Sequence, residues 1–224
     1  MNSPYFSSFS TRLARWGTWR FLAGVLMQAI RKILHVELSI VFAQKDLTSL
    51  YTDPVSPGYR TQRVREEDFH KILPKDLIGI DFSWAFARGD YCVGNLKGEV
   101  LVGWDFWTQH PTLVCDGLYF RFPSSLLYSF ASFTHRAHRG KRLAAARGSY
   151  SVDEFLAERN QLHPFLGWVW YIDCTNYESL RLQENAQQDV RRVGWTAAIR
   201  FFGHYYCFSS RACRKFGTVF EPAD

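Results

Sequence analysis

The five cysteines, Cys92, Cys115, Cys174, Cys207 and Cys213, are odd in number and contain no Cys-x-x-Cys pair. Neither a disulfide framework nor a zinc site is indicated, no metal is expected, and a reducing cytoplasm is the expected compartment. The chain also lacks repeats and low-complexity tracts, which excludes solenoids and disordered linker proteins. It has no Gly-x-Ser-x-Gly elbow, no His-Glu-x-x-His helix and no Ser, His and Asp arrangement, so nothing points to hydrolytic or metal chemistry. The uncharged run Phe21 to Ile30 is too short to cross a bilayer and is followed at once by Arg31 and Lys32. No small-residue cleavage pattern follows it, so it is not read as a signal peptide.

What is present describes a globular protein. Hydrophobic residues make up 47% of the 224 and charged residues 21%, enough for one ample core plus an N-terminal appendage. Residues 1–60 are expected to supply a helix, a strand and a linker, and 61–224 the domain proper. Eight Trp, eleven Tyr and nineteen Phe can fill a core or line an acyl or aromatic pocket. The net charge of +6 favours anionic partners: a phosphorylated cofactor, an acidic carrier protein, an anionic membrane or nucleic acid.

The Ser-rich start, 1–11, is expected to fray. From Arg12 to Leu34, Leu13, Trp16, Trp19, Ala23, Leu26 and Ile30 recur at helical spacing between basic ends. Such a helix either packs on the domain or lies in a membrane interface. Val36 to Phe42 alternates as a strand, and Asp46 to Arg60, with Asp53-Pro54 and Pro57-Gly58, reads as a loop. Thr61 to Val64 follows as a strand and Glu66 to Leu73 as a helix. A hairpin is expected from Tyr91–Val93 through a turn at Asn95-Leu96-Lys97-Gly98 to Glu99–Trp107. Pro111 to Asp116 reads as a loop and Leu118 to Phe122 as a strand. Beyond the basic stretch, a helix from Leu143 is expected to break at Gly148-Ser149 and a second to run from Ser151 to Asn160. Gly167 to Ile172 reads as a buried strand, Tyr177 to Glu184 as a helix, and Val190–Trp195 and Ile199–Phe208 as final strands.

The chain is organised around Ser129 to Ala145. An apolar strand, Ser125 to Phe133, ends in a cationic turn at Arg139-Gly140-Lys141, and a good helix former follows. Unpaired N–H groups and the helix dipole then converge where a phosphate fits. Arg136, Arg139, Lys141, Arg142 and Arg147 give the region its charge.

Arg139-Gly140-Lys141-Arg142-Leu143-Ala144 resembles the pyrophosphate loop of the GNAT superfamily of N-acyltransferases, with Arg142 standing where that family has its first glycine. The order of elements from about 61 to 208 is similar too, with Asn176 and Ser179 matching an Asn-x-x-Ser pattern and Gly194-Trp195 a later one. The resemblance implies an α/β (α+β) fold. Its sheet is mixed, mostly antiparallel and twisted, with a splayed central parallel pair, Ser125–Phe133 and Trp168–Asp173, flanked by helices. It implies an acyl-thioester donor, acetyl-CoA or a longer acyl-CoA, or an acyl carrier protein that would meet the five basic residues. Gly140 to Ala144 would cradle the pyrophosphate, Phe133 or Thr134 would pair with the pantetheine amides, and Asn176 would contact the pantetheine arm. The acceptor implied is an amine. Where the family carries a general-acid Tyr, seven residues after the Asn, this chain has Gln183, which cannot give up a proton. A silent GNAT-fold binding protein is therefore the second reading. A nucleic-acid binder is the third, disfavoured because aromatics do not interleave with the basic cluster. For a base, His110, His135, His138, Glu99, Asp105 and Asp116 stay open.

Overall fold

The computed structural model describes residues 18–44, 56–159, 167–184 and 190–223. The expectations for 1–11, for the helix before Thr18, for the loop from Asp46 to Val55 and for a helix end at Asn160 lie outside the described residues. Two compact units divide the chain, one of residues 43–112 and 122–170, the other of residues up to 42, 113–121 and from 171 on.

The first unit is built on a sheet with a layer on each face. Its strands are β2 (Arg60–Val64), β3 (Tyr91–Lys97), β4 (Val100–Thr108), β7 (Leu126–Thr134) and the start of β8 (Gly167–Asp173), in the order β8-β7-β4-β3-β2. All pairs are antiparallel except β7 with β8, which run parallel. Strand alternation sends Trp104 and Phe106 of β4 to one face and Asp105 and Trp107 to the other. On the first face Phe69 of helix α2 (Glu66–Ile72), which has no exposure, meets Phe82, Phe86, Trp104 and Phe106 at ring separations of 5.5 to 5.9 Å. Phe86 belongs to the short helix α3 (Ser83–Ala87). On the second face lies helix α4 (Leu143–Arg159), over a cluster of Tyr91, Val93, Trp107, Leu127 and Trp168. The Tyr91 and Tyr150 hydroxyls both donate to the Glu154 carboxylate, and burial, then Glu154, push both phenols above their ordinary range.

The second unit holds helix α1 (Thr18–Leu34), strand β1 (Val36–Gln44) up to Phe42, the last residues of β8, helix α5 (Tyr177–Glu184), and strands β9 (Val190–Phe201) and β10 (His204–Ser209). Its sheet order is β10-β9-β1-β8. A second sheet, in the order β11-β6-β5, is made of β5 (Thr112–Cys115), β6 (Leu118–Arg121) and β11 (Val219–Pro222). Buried Thr196 joins the layers: its Oγ1 accepts the Phe220 N–H at 3.0 Å and shares a hydrogen bond with Ser209 Oγ at 2.9 Å. Helix α6 (Arg211–Phe216) opens on Ser210, whose Oγ accepts the Cys213 N–H, and closes on Gly217 in the left-handed region at φ +77°.

The mixed, mostly antiparallel sheet flanked by helices is the fold class that the sequence implies, with several local differences. The final strands divide at Phe202-Gly203 and not between Trp195 and Ile199, since β9 runs unbroken from Val190 to Phe201, and the helices at 83–87 and 211–216 are not among the expected elements. Pro111 precedes a strand instead of opening a loop: Thr112 and Val114 are β-branched, and a proline ahead of the first strand residue removes no ladder donor. The first hairpin turns more tightly, at Gly98-Glu99, because Asn95 and Leu96 stay in the ladder through a bulge. Helix α4 runs through Gly148 without a break, and Ser151 is buried inside it, not capping it. Gly148 is there for space: a Cβ would stand 3.2 Å from the Trp168 ring. Replacing the fully enclosed Phe69 by Ala is expected to cost about 3–5 kcal/mol, read as a lowered urea midpoint at unchanged slope.

Candidate functional site

Strand β7 brings the chain to the site with one edge open. It pairs with β4 from Tyr128 to Thr134, but its pairing with β8 is confined to Leu126, Leu127 and Tyr128, against Gly167, Trp168 and Val169. From Ser129 to Thr134 its second edge has no strand partner among the described residues, so peptide groups there can pair with an extended ligand. The β4–β7 register slips between Trp104 and Phe106, and Ala131 takes a φ of +51°. That bulge lets Phe130 and Phe133, three residues apart, both face the aromatic layer; Phe133 stacks on Trp104 at 4.5 Å.

A 3-10 turn, Arg136–His138, follows, and then Gly140 at φ +76° and Arg142 at φ +56°. Both lie in the left-handed region, which glycine adopts freely and arginine does not. The residue at the resembled family's glycine position thus keeps a glycine-like backbone. The Arg142 carbonyl accepts the Ala146 N–H at 3.1 Å and opens α4. Arg142 therefore stands where a Ser or Asp would cap, yet a guanidinium has no acceptor. The N–H groups of Leu143, Ala144 and Ala145 have no acceptor within the helix, and the helix dipole adds to their pull on an anion. Arg136, Arg139, Lys141 and Arg142 are exposed around them. The loop is pinned from outside: Ser56 Oγ donates to the Lys141 carbonyl at 2.8 Å, Arg139 Nε donates to the Thr134 carbonyl at 3.2 Å, and the Tyr59 hydroxyl and His138 Nδ1 share a hydrogen bond of 2.9 Å.

Beneath the loop lies a buried charge. Arg147, one turn into α4 and without exposure, donates from Nε to Asp105 Oδ2 at 2.7 Å and from Nη1 to Asn95 Oδ1 at 2.5 Å. Its Nη1 and Nη2 also reach Thr134 Oγ1 at 3.4 and 3.3 Å. The Asn95 amide donates on to Thr61 Oγ1 at 2.9 Å. Arg147 is therefore a correction to the sequence reading. It cannot meet a carrier surface, because it is consumed inside the unit, and Asp105 is its counter-ion and no longer a candidate base.

Phe133, Thr134, Arg139, Gly140, Lys141, Arg142, Leu143 and Ala144 thus form one continuous segment from the end of β7 to the first turn of α4. The Leu143 side chain is core, so only its backbone can serve a ligand. Asn176 belongs to the other unit, where its Oδ1 accepts the Ser179 N–H at 3.2 Å and caps α5. The Asn-x-x-Ser spacing has this local use whatever else it does. Gln183 lies in the last turn of the same helix.

Among the other base candidates, Glu99 pairs with Arg60 and Asp116 with Arg200, both at the surface, and the His110 N–H donates to Thr108 Oγ1. Only His135 and His138 come together, with ring centroids 5.7 Å apart. His135 pairs with Asp76 at 3.2 Å. Burial first, then Lys97 and His135, hold His138 below its ordinary pKa, so it is neutral at pH 7. In the second unit a cavity of about 220 Å³ is lined by Cys115, Arg200 and Tyr205. Cys115 Sγ lies 3.2 Å from the Tyr205 hydroxyl, and burial pushes this thiol up, the wrong direction for a nucleophile.

No family model matches the chain, and no curated protein matches it. Solved structures similar to it include a tandem GNAT protein of the clavulanic acid biosynthesis pathway, at 13% identity and a TM-score of 0.48, over 79% of this chain and 58% of that one. A Drosophila protein matches at 15% identity and 0.46, over 82% of this chain and 58% of its own. A Novosphingobium aromaticivorans protein assigned to the GNAT family of acetyltransferases matches at 16% and 0.42, over 73% and 63%. The chain spans less than two thirds of the length of each, and likeness at this level says nothing of reaction, substrate or partner.

Arg147→Ala strands the Asp105 carboxylate and is expected to cost about 3–5 kcal/mol, whereas Arg147→Met with Asp105→Leu removes both charges and is expected to cost far less. Urea unfolding of the two variants beside the parent chain checks this.

Proposed function

We propose that the chain binds an acyl thioester at the β7–α4 loop and transfers the acyl group to an amine. The observation that supports this best is the coincidence, on one continuous segment, of an open strand edge and a helix start that nothing in its sequence can cap. The N–H groups from Gly140 to Ala144 take the donor's pyrophosphate, and the exposed cations around them neutralise it. Peptide groups of Phe133 and Thr134 on the open edge pair with the amides of the pantetheine arm. The amine attacks the thioester carbonyl, the oxyanion collapses, the carbon–sulfur bond breaks, and the products are an amide and a free thiol. The ammonium proton leaves to a base, and His138, neutral and three residues before Lys141, is the imidazole closest in the chain to the loop glycine. Thiolates leave readily, so Gln183 slows this step without forbidding it.

Acetyl-CoA or a longer acyl-CoA is the donor of choice. An acyl carrier protein is the variant donor, with Arg136, Arg139, Lys141 and Arg142 toward its acidic surface. The second reading, thioester binding without transfer, is favoured by Gln183 alone.

Calorimetric titration with acetyl-CoA tests binding, and release of free thiol in the presence of amines tests transfer. Gly140→Asp adds a side chain at φ +76° and a negative charge beside an anion, and is expected to weaken binding roughly ten- to a hundredfold. Arg142→Gly relieves about 1–2 kcal/mol of left-handed strain against about 0.5–1 kcal/mol of added chain entropy. It is expected to keep stability and CoA affinity, and to lower activity only with a carrier-linked donor. Unchanged affinity in folded Gly140→Asp would remove the basis of the proposal.

A further inference from the structure

The cavity of about 220 Å³ in the second unit holds more polar chemistry than the Cys115 thiol alone. Arg200 of β9 and Tyr205 of β10 stand opposite each other in the ladder, so their side chains share one side of the hairpin. The β5–β6 turn lies over that side. A Cβ on Gly117, at φ +72°, would stand 3.6 Å from the Tyr205 ring, and Cys115 Sγ is 3.2 Å from the Tyr205 hydroxyl. Strand β1, next to β9 in the sheet, completes the lining with Val36 and Glu37. The His35 carbonyl just before it accepts the Arg200 N–H at 3.4 Å.

Arg200 is the group in this lining whose hydrogen bonds are unspent. Its guanidinium lies over the Tyr205 ring, 5.6 Å from the centroid, which holds the cation in place without using an N–H. Among the described residues its one ion pair is with Asp116 Oδ2 at 3.6 Å, too long for a hydrogen bond, and the Asp116 side chain is 90% exposed. Arg88 and Arg147, by contrast, hold Asp90 and Asp105 at 2.9 and 2.7 Å. Burial, then Cys115, pushes the Tyr205 phenol up to about 12, and burial raises the Cys115 thiol, so both are neutral hydrogen-bonding groups at pH 7. The charged lining is then one guanidinium and two carboxylates, Glu37 and Asp116. A simple anion drawn to Arg200 would meet the carboxylates, and a simple cation drawn to the carboxylates would meet Arg200. A molecule carrying both charges satisfies all three. The volume equals about seven waters at roughly 30 Å³ each, and it falls below the roughly 300 to 1,000 Å³ of sites that take larger organic ligands.

We infer that this cavity binds a small zwitterion of the α-amino acid class, its carboxylate on the Arg200 fork and its ammonium toward Glu37 and Asp116. The ligand carboxylate takes at hydrogen-bond distance the place that Asp116 fills only loosely. Val36 and the Tyr205 ring give the remaining wall an apolar part, and the volume admits a short side chain only.

Calorimetric titration of the full chain with glycine, L-alanine and L-serine tests this, beside lactate, which has a hydroxyl in place of alanine's ammonium, and ethylamine, which lacks its carboxylate. L-alanine is expected to bind roughly tenfold or more tightly than either control. Arg200→Met keeps an apolar stem and loses the fork, and is expected to weaken amino-acid binding roughly ten- to a hundredfold. Arg200→Lys keeps the charge without the fork and is expected to fall between that variant and the parent. Glu37→Gln is expected to weaken binding about tenfold while leaving lactate no weaker. Circular dichroism checks that each variant is folded. Gly140→Asp should leave amino-acid binding unchanged, and Arg200→Met should leave acetyl-CoA binding unchanged, so this cavity and the donor site succeed or fail separately. No binding of any of the three amino acids, lactate or ethylamine binding as tightly as L-alanine, or undiminished affinity in folded Arg200→Met would each overturn the inference.

Discussion

The buried pair of Arg147 and Asp105 is the constraint on which the first unit turns. A guanidinium with no exposure must find acceptors for its donors, and it finds them on three strands: Asn95 of β3, Asp105 of β4 and Thr134 of β7. Taking this charge out of water costs several kcal/mol, and the hydrogen bonds of Arg147 offset part of it, while Asp105 Oδ1 stays buried without a hydrogen bond. What the fold gains is position. Thr134 is the last residue of β7 and Arg147 lies in the first turns of α4, so one side chain fixes both ends of the loop from His135 to Arg142.

That fixed frame lets the loop hold conformations it would not choose. Two positive-φ residues, Gly140 and Arg142, stand on either side of Lys141, and the helix opens on Arg142, whose guanidinium carries no acceptor. An Arg in the left-handed region is unfavourable, and N–H groups at a helix start without a side-chain cap leave room for an anion, as proposed above. Unfavourable local choices that meet at one exposed point are what a binding site looks like in physical terms.

Most of this architecture is legible in the sequence because its signals are local. The two apolar runs of β3 and β4 around a glycine turn, the apolar run of β8 and the basic turn after β7 each fall within a few residues, and the structure places elements there. Reading failed where a distant partner decides. Gly148 reads as a helix breaker until Trp168 fills the space above it. Arg147 reads as one more surface cation because Asp105, its counter-ion, is far off in sequence. Helix α6 carries its own signals, Ser210 as cap and Gly217 as stop, but six residues are too few for an apolar period to show between them. The exposed side of β9 and β10 is not legible as exposed, since alternating aromatics read the same whether they are buried or not.

Cations of the first unit concentrate around one helix start, where backbone donors are free to meet a proposed anionic donor. Amide hydrogen exchange with and without acetyl-CoA tests this most directly. Slowed exchange confined to 140–145 and the open edge of β7, with β9 and β10 unchanged, is the expected result. Unchanged exchange in 140–145 at saturating donor, or protection appearing only in the β9–β10 hairpin, would contradict it.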